Sequence, residues 1–389
     1  MNIYQIGSIK NSKEFLKDLG VQGGGVSIMS KKMELLYFQI RDMRTPAINI
    51  LKQDALSIGA ELAVPSGVIV CERDYYDCLL IANRKQIEIL SQKELSQPFG
   101  LKKLAKELQN FLKIKEEYPI EVMGVINAND DSFFSGSRFQ ANDAISKIEQ
   151  MIADGATIID IGGVSSRPNA DIVSSEEELR RVKPICDTIR AKKLYNRASF
   201  SIDSYTPTVI EYALDSGFTI INDITGGSSD EVINLAIKYR AKLCIMHMQG
   251  TPQTMQDNPN YSDVMVEVSD FFAHRVERCE ALGLSREDII LDVGIGFGKS
   301  LEHNLTLIKN MSHFKKFGCE ILIGASRKSM IDKITPTPTD KRLAGTLAIH
   351  LKAIDSGASI IRCHDVAEHI QAIKVWKRVT KTSTKQTMF

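Results

Sequence analysis

Residues 219–246 read TIINDITGGSSDEVINLAIKYRAKLCIM. The stretch opens on a short β-branched run, TIIN, turns through DITGGSS, and continues as DEVINLAIKYR, whose apolar residues recur at helical spacing. It closes on a second apolar run, KLCIM (242–246). Runs this short and β-branched suit strands rather than helices. A turn and a helix between them suit the crossover that parallel strands require.

The same pattern recurs on both sides. VMGVI (122–126), TIIDI (157–161), FSI (200–202), IILD (289–292), EILI (320–323) and SIIR (359–362) bring the strands to eight. Helical-period segments follow at 141–153, 175–193, 206–216, 230–240, 262–283, 302–311, 341–356 and 366–377. This predicts an α/β fold in which residues 118–380 close into a parallel (β/α)8 TIM barrel. An open doubly wound sheet is the alternative, but its Gly-rich first turn is missing.

Residues 1–115 read as a small α/β N-terminal domain, with strands near 35–40, 60–64, 67–71 and 77–82 and helices near 44–57, 84–93 and 101–113. Gly23, Gly24 and Gly25 mark a flexible turn. LKKLAKELQNFLK (101–113) is amphipathic and leads into KEEYP, the expected boundary, and 381–389 is a polar tail. CERDYYDC (71–78) reads as a solvated hairpin, since its cysteine spacing fits no common metal site.

Composition narrows the function classes. A net charge of +1 gives no global electrostatic case for nucleic acid or membrane, so anionic ligands must be met locally. The seven cysteines, Cys71, Cys78, Cys186, Cys244, Cys279, Cys319 and Cys363, contain no CxxC pair and suggest reduced thiols in the cytoplasm. MNIYQIGSIKNSKEF lacks the continuous apolar core of a signal peptide, and no apolar run approaches a membrane span.

Barrel active sites lie at the C-terminal ends of the strands, where the unusual residues fall here. SIDS places Asp203 at the mouth, INDITGG places Asn222 and Asp223, and ILDVGIGFGKS places Asp292, with Lys299 on the loop beyond. Any one acid could be a helix N-cap. Together, Asp203, Asn222 and Asp292 are what a heterocycle with amidine-like N–H groups needs. On other strands stand Ser165, Ser166, Arg167 and Pro168, then Ser326, Arg327 and Lys328, and finally Arg362 and His364. Arg167, Lys328 and Arg362 read as a cationic ring opposite the acceptors, suited to a pyrophosphate leaving group. Asn127 can hold Mg²⁺ through its carbonyl oxygen, although a lone Asn there is also a common turn former.

These segments resemble the dihydropteroate synthase family. Its first-strand signature is roughly GILNVTPDSFSDGG, against GVINANDDSFFSGS here, and its second is GGESTRPGA, against GGVSSRPNA. SIDSY, IINDI, IMHMQGTPQTMQ, ILDVGIGFGK, GASRKSMI, RLAGTLA and RCHDVAE follow in the family's order. The resemblance implies condensation of 6-hydroxymethyl-7,8-dihydropterin pyrophosphate with p-aminobenzoate by a dissociative displacement. It implies that Asp203, Asn222, Met246 and Asp292 bind the pterin, with Lys328 bridging to the amine. It implies that Ser166, Arg167, Pro168, Phe297 and Ser326 line the p-aminobenzoate pocket, the sulfonamide target. Asn127, with Mg²⁺, and Arg167, Arg362 and His364 would hold the pyrophosphate, and Asp131 would shield the cationic intermediate. A homodimer is also implied.

The first loop departs most from the family. Asn129 and Asp130 replace Thr-Pro, and Ser135, Gly136 and Ser137 replace Asp-Gly-Gly. Val164 replaces an acid, Ser166 a Thr and Asn169 a Gly, so altered loop dynamics rather than lost chemistry is expected. Two alternatives remain. A pterin-binding methyltransferase domain shares the barrel but has no need of a pyrophosphate clamp. A non-catalytic pterin-binding paralogue would have no need of Lys328, Arg362 and His364.

Overall fold

The computed structural model describes residues 11–113, 118–128, 138–164, 173–255 and 257–380, together with Ile3, Ile6 and Ile9; residues 138–142 are described by backbone alone. The chain divides into two compact units, 1–114 with 377–389, and 115–376.

The first unit carries α1 (Ser12–Asp18), α2 (Gly23–Ser30), β1 (Leu35–Arg44), α3 (Thr45–Ser57), β2 (Glu61–Ala63), β3 (Tyr75–Asn83), α4 (Arg84–Lys93) and α5 (Leu101–Lys113). Its sheet is antiparallel in the order β1-β3-β2. Alternation along β3 buries Cys78, Leu80 and Ala82, which join Ile48, Leu51, Ile87, Leu90, Leu101 and Leu108 in one core. The switch from strand to α4 is built into Asn83 and Gln86. Asn83 Oδ1 accepts from the Gln86 N–H at 3.0 Å, and Gln86 Oε1 accepts from the Asn83 N–H at 2.8 Å, a reciprocal cap.

Two expectations fail in this unit. The triple glycine begins α2 instead of marking a turn. Glycine is a poor helix former, but buried Val26 and Ser30 give the helix an inner face, and it packs on α1. The expected strand at 67–71 is a 3₁₀ turn at Ser66–Val68, closed by the Val68 N–H donating to the Pro65 carbonyl at 3.2 Å. A Cβ at Gly67 would come within 2.4 Å of Glu72 Oε2 and 2.5 Å of the Tyr76 hydroxyl, side-chain ends that would have to move aside.

Glu94 is fully buried in the same unit. Burial, and then the nearby Asp54 carboxylate, push its pKa up to about 7, with Lys93 opposing. The folded value lies above the unfolded one, so the native state takes up a proton first. Stability from this group is present below the unfolded pKa of about 4.3 and is lost as pH rises toward 7. Glu94→Gln keeps the size of the side chain and removes the titrating group. Denaturant titrations at pH 5 and pH 8 should show the wild type losing on the order of 2 kcal/mol more than the variant between them. Equal slopes in the two proteins would refute a protonated Glu94.

In the second unit, β4 (Glu121–Asn127), β5 (Ile158–Gly162), β6 (Ser199–Asp203), β7 (Ile220–Asp223), β8 (Lys242–Met246), β9 (Ile289–Asp292), β10 (Glu320–Ile323) and β11 (Ile360–Cys363) alternate with helices. These are α6 (Arg138–Asp154), α7 (Ser175–Lys192), α8 (Pro207–Asp215), α9 (Asp230–Tyr239), α10 (Val264–Leu282), α11 (Leu301–Lys309), the short α12 (Ser329–Ile334), α13 (Leu343–Asp355) and α14 (Val366–Thr380). All eight strands are parallel and follow chain order round a closed barrel, with β11 pairing back onto β4. Each expected strand forms, within a residue or two of its expected ends. Among the described residues, no helix is long and apolar enough to cross a membrane.

The barrel interior holds a separate apolar layer of Met123, Ile158, Ile220, Cys244, Ile290, Leu322 and Ile360. Side chains two residues further along a strand return to the same face. The step from this layer toward the C-terminal mouth therefore leads to Asp160, Asn222, Met246, Asp292 and Arg362. The fold thus stacks a polar layer directly on an apolar floor.

Candidate active site

Arg362 organises that polar layer. Its Nε donates to Asp160 Oδ2 at 2.7 Å, and one terminal nitrogen donates to Asp203 Oδ2 at 2.8 Å. Asn222 Nδ2 donates to the same Asp160 oxygen at 3.1 Å. Four strands, β5, β6, β7 and β11, are tied through one guanidinium and one amide. Asp160 Oδ1 and the neighbouring Ser201 Oγ are buried and have no hydrogen-bond partner among the described residues. Such orphaned atoms are what ligand N–H groups or ordered water would satisfy.

The expected division of the mouth into separate acceptor and cationic sides is therefore corrected: Arg362 stands among the acceptors. A guanidinium largely withdrawn from water has to be paired, and its long side chain reaches past β4 to find carboxylates. Burial raises the pKa of Asp203, with Arg362 pulling it down and the Asp160 charge raising it. Asp160 is the site residue that the sequence reading missed. Its signal was available in TIIDI, where Asp160 follows the inward-facing Ile158 by two positions.

Asp292 occupies the β9 edge of the layer. Its Oδ1 accepts from the Gly294 N–H at 2.8 Å. Burial raises its pKa, while that hydrogen bond and then the Lys328 charge lower it. Lys328, on the loop after β10, holds its ammonium 4.1 Å from the centroid of the Phe297 ring. Burial pulls its pKa down to about 8, with Asp292 opposing. Met246 is buried at the end of β8. Asp203, Asn222, Met246, Asp292, Phe297, Lys328 and Arg362 thus share the C-terminal end of the barrel.

Asp223 behaves differently. Its carboxylate accepts from the Thr225 N–H at 2.7 Å and the Gly227 N–H at 2.9 Å, so it anchors its own loop. Lys299 is not on the loop surface. Its Nζ donates to the His247 and Phe297 carbonyls at 3.1 and 2.9 Å and lies 2.9 Å from His247 Nδ1. Burial and the Lys299 charge hold the His247 pKa down to about 3, so the ring is neutral and Nδ1 accepts. Gly294 permits this packing, because a Cβ there would lie 2.0 Å from the His247 carbonyl oxygen. Lys299 therefore clamps the loop that presents Phe297.

Ser326 and His364 sit on the rim, with Ser326 Oγ 2.9 Å from His364 Nδ1. Arg327 is bound in a fork by Asp365, with Nε 3.1 Å and a terminal nitrogen 2.5 Å from its two oxygens. Asn127 is half-buried at the end of β4. Asp131, Ser166, Arg167 and Pro168 lie outside the described residues, as do Asn129, Asp130, Ser135, Gly136, Ser137 and Asn169.

Buried carboxylates, an amide and a guanidinium at the strand ends of a barrel define a site for a flat polar heterocycle. Residues 123–364 match the pterin binding enzyme family, and the chain belongs to it. Its relatives there are dihydropteroate synthases, transferases of folate biosynthesis. The synthase of Haemophilus influenzae is 43% identical over 260 residues, 66% of this chain and 93% of that protein. The bifunctional dihydropteroate synthase/dihydropteroate reductase of Helicobacter pylori is 43% identical over 370 residues, 95% of this chain and 97% of that protein. A probable bifunctional folylpolyglutamate synthase/dihydropteroate synthase of Halobacterium salinarum is 34% identical over 95% of this chain and 46% of its own length. In structure, the Burkholderia cenocepacia synthase complexed with 7,8-dihydropteroate superposes with a TM-score of 0.59 at 38% identity, over 68% of this chain and 92% of that one.

Proposed function

We propose that the chain joins 6-hydroxymethyl-7,8-dihydropterin pyrophosphate to p-aminobenzoate, releasing pyrophosphate, and that the Arg362-centred layer is its pterin seat. The observation carrying this reading is the network of Asp160, Asn222, Asp203 and Arg362 beside Asp292, built on strands that an apolar floor holds rigid. Carboxylate and amide oxygens there accept the N–H groups of a pterin's amidine edge. Lys328, whose ammonium rests over the Phe297 ring, would meet the pterin's methylene and the incoming amine. The C–O bond to pyrophosphate breaks first, the ring spreads the positive charge, and the amine nitrogen then attacks the methylene and loses its proton. Charge on the departing oxygens grows along the way, so cationic groups near them accelerate the step more than they tighten binding.

Asn127, Arg167, His364 and the remaining N–H groups of Arg362 would hold the pyrophosphate. Mg²⁺ fits this set. Asn127 would offer the metal an amide oxygen, the hard donor type that Mg²⁺ takes. The metal would supply charge neutralisation to the leaving group. A cytoplasmic homodimer completes the reading, and seven free thiols are in keeping with a reducing compartment.

A second activity has one observation in its favour. The Helicobacter pylori match runs through the N-terminal unit as well as the barrel. Reduction of 7,8-dihydropteroate would add a hydride from a reduced nicotinamide to C6 of the N5=C6 bond and a proton to N5. The Halobacterium salinarum relative also spans this unit under a different second activity, so the extension by itself does not specify a reductase.

One experiment separates the readings. The full chain is mixed with both substrates and Mg²⁺ in a single turnover, then given NADPH. Stoichiometric pyrophosphate with dihydropteroate is the expected result. Pterin binding without pyrophosphate release would leave a non-catalytic paralogue or a pterin-binding methyltransferase domain. NADPH consumption matched by tetrahydropteroate would establish the second activity.

A further inference from the structure

Behind the rim loops lies a polar element that the chemistry above does not use. His350 on α13 and His369 on α14 are both buried, each about 1% exposed. His350 Nε2 lies 3.1 Å from the Ala325 N–H nitrogen, His350 Nδ1 lies 2.8 Å from His369 Nε2, and His369 Nδ1 lies 2.5 Å from the Asp365 carbonyl oxygen. One proton arrangement satisfies all three contacts. Ala325 donates to His350 Nε2, His350 Nδ1–H donates to His369 Nε2, and His369 Nδ1–H donates to Asp365. A further proton on either ring would set donor against donor.

The two ends of this chain are the two rim loops. Ala325 begins the segment Ala325–Lys328 after β10, and Asp365 follows His364 after β11. The same segment is held at other points. Thr346 Oγ1, one turn before His350 on α13, accepts from the Arg327 N–H at 3.0 Å, and Arg342 donates to the Arg327 carbonyl at 3.2 Å. Arg327 has φ of +55°, the left-handed region that a non-glycine residue occupies only when its surroundings impose it. The residue after this strained position is Lys328.

We propose that His350 and His369 form a two-imidazole strut that positions Lys328, acting together with Thr346 to hold the Ala325–Arg327 backbone in its left-handed turn. Neither ring touches the substrates. The strut sets the distance between the rim loops, and through Arg327 it sets the direction in which the Lys328 side chain leaves the backbone. This rests on the role proposed for Lys328 in the synthase reaction.

The test compares His350→Leu, which fills the volume without donor or acceptor, with His350→Gln. The Gln side chain can accept from Ala325 through Oε1 and donate to His369 through Nε2. For His350→Leu we expect kcat about tenfold lower, a raised KM for p-aminobenzoate, and a Kd for the dihydropterin pyrophosphate within twofold of wild type. His350→Gln should recover most of kcat. His369→Leu should reproduce the loss, and the double variant His350→Leu/His369→Leu should lose no more than either single variant. Wild-type kcat in a folded His350→Leu, or additive losses in the double variant, would overturn the strut. Should His350→Leu not fold, Thr346→Val removes only the hydroxyl that receives the Arg327 N–H. A kcat about tenfold lower with unchanged dihydropterin pyrophosphate affinity supports the strut, and wild-type kcat overturns it. Wild-type turnover is measured in the same assay, so a failure of the synthase reading is seen separately.

Discussion

Lys328→Ala is expected to lower kcat by about 10²–10³-fold, equivalent to about 2.7–4 kcal/mol in the barrier, with the barrel still folded. The ammonium rests on the Phe297 face, and burial has already pulled its pKa down to about 8. Deleting a desolvated cation removes a cost as well as an attraction to Asp292, so the net stability change should be small. The pH profile adds a second readout. A lysine with a lowered pKa carries its charge below that value and loses it above. Wild-type kcat should therefore fall as pH rises through about 8, or somewhat higher when the anionic substrate is bound. Lys328→Arg keeps a charge across this range and should lose that alkaline limb, at reduced kcat because a planar fork replaces a point charge. A Lys328→Ala enzyme within threefold of wild type, or an alkaline limb that survives in Lys328→Arg, would remove Lys328 from the reacting centre.

The barrel was readable because each strand advertises itself locally. Runs such as EILI and KLCIM are bounded by polar loops, and the helices between them keep a clean period. The residues at the strand ends were readable for the same reason: Asp203, Asn222 and Asp292 each terminate an apolar run. What escaped was non-local. Asp160 and Arg362 are separated by 202 positions, and their pairing follows from barrel closure and from the reach of an arginine side chain. Likewise, nothing in GFGKS distinguishes a surface lysine from Lys299, which is buried because two glycine-rich loops pack backbone to backbone. In the N-terminal unit, the triple glycine reads as a turn from propensity alone. Only the contact between α1 and α2 makes it a helix. Local pattern thus specifies elements and strand ends, while partner choice among buried charges needs the closed fold.

Arg362→Met should be the most destabilising of the substitutions considered, at roughly 3–5 kcal/mol, because it leaves buried carboxylates without their cation. Methionine matches much of the length and volume, so the loss reports charge rather than a cavity. The cost should depend on pH in a defined direction. Burial already raises the Asp203 pKa and Arg362 opposes that rise; without the guanidinium the folded value climbs further. A carboxyl whose folded pKa exceeds its unfolded one stabilises below the unfolded value, and the stabilisation is lost as pH rises through the folded value. The deficit of Arg362→Met relative to wild type should therefore be smaller at pH 5 than at pH 8 in denaturant titrations. Adding Asp160→Asn to Arg362→Met removes one stranded charge and leaves an amide beside Asn222. That double variant should regain at least about 1 kcal/mol at pH 8, since one buried charge without its cation is gone. Neither should bind the dihydropterin pyrophosphate normally, because Arg362 orients Asp160 and Asp203 before the ligand arrives. A deficit under about 1 kcal/mol that does not change with pH would mean that water, rather than Arg362, balances these carboxylates, and the site would be a hydrated cleft rather than a preformed pterin seat.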